Sequence, residues 1–177
     1  MEHDLTRGNV LKTIAVFALP YMLSYFLQML YGMADLYMMG QFSGAAGITA
    51  VANGAQTLYM ITVALVGLAM GTTVIVGHAV GSRRFDRAET AIGNTITLFM
   101  GVSVVLAAAL LALCPQIVAL IGTPAEAVEG TAAYLRICFV GIPFIIAYNV
   151  ISSIFRGLGD SKSPMYFIAI ACGVNIV

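Results

Sequence analysis

From Thr13 to Met38 the chain reads TIAVFALPYMLSYFLQMLYGMADLYM, twenty-six residues of which one is charged. No charge falls between Lys12 and Asp35, and none between Asp35 and Arg83. A helix rises about 1.5 Å per residue and the bilayer hydrocarbon is about 30 Å thick, so about 20 apolar residues cross it. The run is continuous rather than alternating, unlike a barrel strand of about 10 residues with period two. It predicts a membrane-crossing helix.

The same pattern repeats outward. Glu89 to Glu126 and Arg136 to Arg156 enclose no charge. Four spans are predicted at about 14–38, 48–76, 91–113 and 134–155, with an incomplete fifth over 164–177. The second is long enough to tilt, to bend near Gly67 and Gly71, or to project beyond the membrane. Across all 177 residues, 60% are hydrophobic and 9% charged. A soluble domain carries about 25% charge, so too little is present here to cover a water-facing surface. The 8 basic and 8 acidic residues cancel and only three cysteines occur, which argues against a nucleic-acid module and a disulfide scaffold. The composition is that of an all-α integral membrane protein whose surroundings are a lipid bilayer.

Orientation follows from the basic residues. Arg7, Lys12, Arg83, Arg84, Arg87, Arg156 and Lys162 fall in segments on one side of four crossings, leaving Arg136 near the other. The positive-inside rule places that side, and the N-terminus, in the cytoplasm. The first apolar stretch exceeds the 7–15 residues of a cleavable signal core, so an uncleaved span is expected. Cys114, Cys138 and Cys172 read as small buried side chains with no metal or disulfide pattern.

Asp35 is the one ionisable residue well inside an apolar stretch. An aspartate at a helix centre costs about 2.5–3.5 kcal/mol to insert, so such residues face a bundle interior or an aqueous cavity. It stands 23 residues after Lys12. A hydrated outer helix end is the plain alternative, but the uncharged Leu36 to Gly40 beyond it predict burial. At 100° per residue Ser24, Gln28, Tyr31 and Asp35 fall within about 60°, a polar stripe that lipid cannot satisfy. An enclosed carboxyl holds a proton or a cation according to its surroundings, which is the chemistry of a coupled transporter.

Two further stripes are Asn53, Gln56 and Thr57 in the second span, and Asn149, Ser152, Ser153 and Arg156 in the fourth. Interhelical hydrogen bonding is the simpler reading of both, and substrate contact the functional one. Gly67 and Gly71, and Gly77 and Gly81, allow close helix packing. Ser163 with Pro164 predicts a helix start.

Three segments together resemble the multidrug and toxic compound extrusion (MATE) transporters. They are Asp35-Leu-Tyr-Met-Met-Gly40, the Gly67–Gly81 stretch running into Arg84–Ala88, and Arg156-Gly-Leu-Gly-Asp-Ser-Lys-Ser-Pro-Met165. The resemblance implies twelve helices in two six-helix lobes, with this chain supplying the first four and the start of the fifth. It implies export of organic, often cationic, small molecules by antiport with protons or sodium across the cell membrane. Asp35 matches the family's coupling carboxylate, and Asn175 matches a fifth-helix asparagine near it. Gln28, Tyr31, Asn53, Gln56 and Asn149 become candidates for the substrate cavity. No cofactor beyond the coupling ion and no nucleic acid is expected. Alternating access needs two bundles around one cavity. The chain is therefore expected to be an N-terminal fragment, inactive alone, whose partner is the missing C-terminal lobe.

Two alternatives stand beside this reading. A lipid-linked oligosaccharide flippase shares the lobe design, but its cavity is strongly cationic, and here only Arg136 and Arg156 lie at span ends. A small structural or oligomeric helical membrane protein would be complete at this length. An intramembrane enzyme is not expected, since paired carboxylates or a metal-holding cluster would be needed.

Overall fold

The computed structural model describes residues 10–176, apart from the side chains of Ser43, Asn175 and Ile176. Helix α1 spans Val10–Phe42 and α2 Gly44–Gly81. Helix α3 spans Phe85–Leu120, α4 Val128–Gly157 after a short 3-10 turn at Ala125–Ala127, and α5 Lys162–Ile176. Four helical stretches, 33 to 38 residues long, are apolar and long enough to cross a membrane. At about 1.5 Å per residue a 33-residue helix measures about 50 Å, so the expected spans are the apolar middles of longer helices.

The first connection differs from expectation. In place of a loop over 39–47, helical geometry is interrupted only at Gly44, with φ 63° and ψ −161°. That region of backbone space is open essentially to glycine alone. Residues eight apart on a straight helix are separated by about 12 Å. Yet a Cβ on Gly40 would sit 3.3 Å from Cδ1 of Ile48, so the chain doubles back at this joint. Gly67 and Gly71 keep helical geometry.

Two compact units share these helices, each helix before α5 contributing to both. The first unit holds the described parts of 1–34, 68–96 and 149–177. Within it α2 and α4 meet at their closest on glycine. A Cβ on Gly157 would lie 2.9 Å from Cβ of Val76 and 3.1 Å from the Thr73 carbonyl, and one on Gly77 would lie 3.5 Å from the Gly157 carbonyl. Thr73 Oγ1 donates to the Ser153 carbonyl at 2.9 Å across the same contact. Of the four glycines expected to pack closely, Gly77 does so; Gly67, Gly71 and Gly81 face open space. Thr72 and Thr95 bring their hydroxyls to 3.3 Å between α2 and α3. Cys172 of α5 points its thiol at the Leu27 carbonyl of α1, and Phe155 and Phe167 meet edge to face.

The second unit holds 35–67 and 97–148. Its core is one flank of α4: Thr131, Leu135, Phe139, Ile142 and Ile146 are all essentially inaccessible. Their spacing of three and four residues keeps them within a stripe about 100° wide. Ala50 packs on Gly130, the ring of Tyr134 covers Gly54, and the Cys114 thiol approaches the Ala132 carbonyl. In lipid, such contacts hold helices together by close packing, since an apolar side chain gains nothing by leaving an apolar solvent. The exposed flanks carry Leu, Ile, Val, Met and Phe, as a lipid-facing surface requires.

Helix ends close by a shared device. Asp160 N donates to the Phe155 carbonyl and Gly159 N to the Arg156 carbonyl, with Gly159 at φ 87°. Arg84 N donates to the Ala79 carbonyl and Arg83 N to the Val80 carbonyl, with Arg83 at φ 57°. Both are left-handed caps that satisfy the last carbonyls of a helix, and glycine is the usual occupant. Helix α5 begins one residue before the expected Ser163 cap. Asp160 Oδ1 accepts from the amides of Lys162 at 2.9 Å and Ser163 at 3.1 Å, while Ser163 donates its hydroxyl to the other carboxylate oxygen. Pro164 sits in the first turn, where its missing N–H costs no hydrogen bond.

Candidate functional site

Helix α1 has two unlike flanks in the first unit. Ser24 is buried, and Gln28 and Tyr31 are half-buried on the same side. Met22, Phe26, Met29 and Met33 occupy the opposite side and are exposed. The polar stripe therefore lies on the flank that the chain itself covers. Ser24 donates its hydroxyl to the Pro20 carbonyl one turn back, at 2.9 Å, so its polarity is satisfied within α1.

Asp35 continues that stripe by helical spacing, but it is exposed, contrary to the burial expected of it. It makes no side-chain hydrogen bond or ion pair with another described residue. The reason is local: Asp35, Leu36, Tyr37 and Met38 make a full turn of helix and all four are exposed. At this level α1 is uncovered on every side, so no choice of helix face encloses the carboxylate.

In the second unit, Asn53 is half-buried and Gln56 exposed. Thr57 donates to the Asn53 carbonyl at 2.8 Å, a bond within α2. Gly54, beneath Tyr134, marks the packed flank. Gln56 lies about 160° around the helix from it and so escapes contact. Asp35, Asn53 and Gln56 share this unit without a hydrogen bond among them.

The first unit contains the denser polar group. Asn149 is half-buried, and Ser152 and Ser153 are buried. Arg156 turns back along α4, donating from Nη2 to Ser153 Oγ at 3.1 Å. Its Cζ lies 5.2 Å from the centroid of the Tyr21 ring of α1. Tyr21 and Tyr25 bring their hydroxyls within 3.1 Å and their rings to 5.0 Å, edge to face. Arg156 Nε and Ser152 Oγ are enclosed without a hydrogen-bond partner. Asn175 lies on α5, but its side chain is outside the described residues.

The MatE family model matches residues 20–177. The chain belongs to the MatE family. A probable multidrug resistance protein of Bacillus subtilis, YpnP, is 33% identical over 99% of this chain and 39% of its own length. Among solved structures, a MOP superfamily transporter from Pyrococcus furiosus superposes with a TM-score of 0.89 and 28% identity, over 97% of this chain and 38% of that one. The outward-facing conformation of a multidrug resistance MATE family transporter superposes at 0.84, again with 28% identity and 38% coverage. The chain thus spans about two fifths of the length of the relatives it matches, and it is a multi-pass membrane protein.

In this MatE chain Tyr21 is the residue that sequence reasoning passed over. Its only signal is an aromatic on the same helix flank as Gln28, two turns nearer the basic end. Arg156 was visible as the end of the α4 stripe, but its inward course was not. Outside the spans, partial burial pushes the Asp160 carboxyl up. The Ser163 hydroxyl and amide, the Lys162 amide and the Lys162 charge outweigh that and bring it below its ordinary value.

Proposed function

We propose that the full-length MatE protein exports organic, often cationic, compounds by antiport with protons or sodium, with this chain forming part of its first lobe. One observation carries the reading: a single carboxylate, Asp35, in the apolar run from Lys12 to Arg83, on the stripe whose lower members Gln28 and Tyr31 occupy the covered flank of α1. The sites of proton or sodium binding are Asp35 and, on α5, Asn175. Gln28, Tyr31, Asn53, Gln56 and Asn149 contact the substrate. The exposure of the Asp35 turn suits this role, because a carboxylate that exchanges its cation must open to a path that further helices enclose. Kinship with proteins named for multidrug resistance supports the substrate class. The N-terminus lies in the cytoplasm and the protein in the cell membrane, in keeping with the basic residues at one end of the spans. The chain acts as a carrier and performs no covalent chemistry.

The test is Asp35→Asn in the full-length protein, reconstituted in vesicles with an imposed pH or sodium gradient. Gradient-driven efflux of a fluorescent organic cation is expected to vanish while insertion stays normal. Efflux at the unsubstituted rate would overturn the assignment of Asp35.

A further inference from the structure

The end of α4 meets α2 and α1 through contacts of opposite character. Toward α2 the joint is tight: no Cβ fits on Gly157 beside Val76, and the Thr73 hydroxyl bonds the Ser153 carbonyl. Toward α1 the Arg156 guanidinium rests over the Tyr21 ring at 5.2 Å. A cation over an aromatic face is attracted to the ring quadrupole without the directional lock of a hydrogen bond. The ring can slide and part from it.

A second observation bears on the same side chain. Arg156 Nε is enclosed and finds no acceptor, and Ser152 Oγ, one turn earlier on α4, is likewise enclosed and unpaired. Neighbours at i and i+4 share a helix face. Enclosed polar groups in native proteins are overwhelmingly paired, so two orphans beside one contact mark an arrangement that another can relieve. Arg156 also has no carboxylate bound to it among the described residues. Its hold on α1 is the stacked ring.

We propose that Arg156 stacked on Tyr21 is a releasable latch between α4 and the N-terminal part of α1, with α4 anchored to α2 as the fixed side. On release, the guanidinium Nε–H and the Ser152 hydroxyl become free to meet water. Under the export reading, on which only this last step rests, the latch sets how often that end of the path stands open.

The test uses the full-length protein in lipid nanodiscs, with native cysteines replaced and spin labels at Ile14→Cys on α1 and Lys162→Cys at the start of α5. Both positions are exposed. Pulsed dipolar spectroscopy is expected to give one dominant distance, with a longer-distance population of about 10% or less. Tyr21→Leu and Arg156→Gln each raise that longer population about threefold or more, while Tyr21→Phe, which keeps the ring face, matches the unsubstituted protein. Either of the first two variants suffices if the other fails to insert. Unchanged distances in Tyr21→Leu or Arg156→Gln overturn the latch, as does a Tyr21→Phe protein that opens as far as Tyr21→Leu. Because distances are read without transport, a protein that shows these shifts but never exports refutes the export reading and leaves the latch. Normal export with unmoved distances does the reverse.

Discussion

Gly54 of α2 packs against the ring of Tyr134 of α4, so close that a Cβ on Gly54 would stand 2.9 Å from Cε1 and nearer still to Cδ1. The obstacle is a ring held in a packed unit, not the loose end of a chain. Gly54→Ala must therefore push α2 and α4 apart or turn Tyr134 out of place. Overpacking of this kind costs about 1–3 kcal/mol. Gly67→Ala, where a Cβ meets open space, is the control. Thermal unfolding in detergent, followed by circular dichroism, should show a clear loss for Gly54→Ala and little change for Gly67→Ala.

Such contacts divide what could be read in advance from what could not. Helices α1 to α4 were legible because charge-free runs of bilayer length leave few other structures available, and α5 as a shorter apolar run after Ser163 and Pro164. The joint at Gly44 was not, because Gly40, Gly44 and Gly47 look alike in sequence, and only the folded chain, with Gly44 at φ 63° and Ile48 seated against Gly40, shows where it reverses. Asp35 was legible as an anomaly, but its exposure depends on which helices reach its level, a matter of tertiary packing. The Arg156–Tyr21 pairing joins residues far apart in the chain, which no periodicity within one helix reveals. At α5, the choice between Ser163 and Asp160 as the capping group was settled by the carboxylate having two oxygens for three donors within three residues.

Asp160 makes the start of α5 sensitive to acid. Its carboxyl titrates lower in the folded chain than in the unfolded one, so the unfolded chain binds more protons in that window and stability rises with pH. The contribution is complete above the ordinary aspartate value and is lost as pH falls through the lowered folded value. Asp160→Ala removes the acceptor for two amides and should cost about 1 kcal/mol at neutral pH. Asp160→Asn keeps one acceptor oxygen, so it should lose less at neutral pH and lose the acid dependence as well. Unfolding midpoints of the three proteins across the acid range provide the check. A midpoint in the unsubstituted chain that tracks Asp160→Asn throughout would count against the cap.

Arg83 and Gly159 occupy equivalent left-handed caps, at φ 57° and 87°, but only one of them is glycine. A side chain in this region costs about 1–2 kcal/mol that glycine avoids, partly offset by the greater freedom glycine has when unfolded. Arg83→Gly should therefore raise the unfolding midpoint slightly, and Gly159→Ala should lower it by an amount corresponding to about 1 kcal/mol. Shifts of the same sign in both variants would show that the two caps are not alike.

The two flanks of α1 carry the last prediction. If Gln28 and Tyr31 border a path that admits water, cysteines placed there ionise and react with membrane-impermeant thiol reagents. On the opposite flank, Met22 and Met29 are exposed on this chain, an apolar side suited to lipid. A thiol in lipid stays protonated, and the thiolate is the reactive form. In the full-length protein, Gln28→Cys and Tyr31→Cys should therefore label at least about tenfold faster than Met22→Cys and Met29→Cys. An added transported cation should slow the first pair and leave the second unchanged. Equal rates on both flanks would mean that the covered side of α1 is sealed by packing, and that its polar residues serve helix association rather than passage.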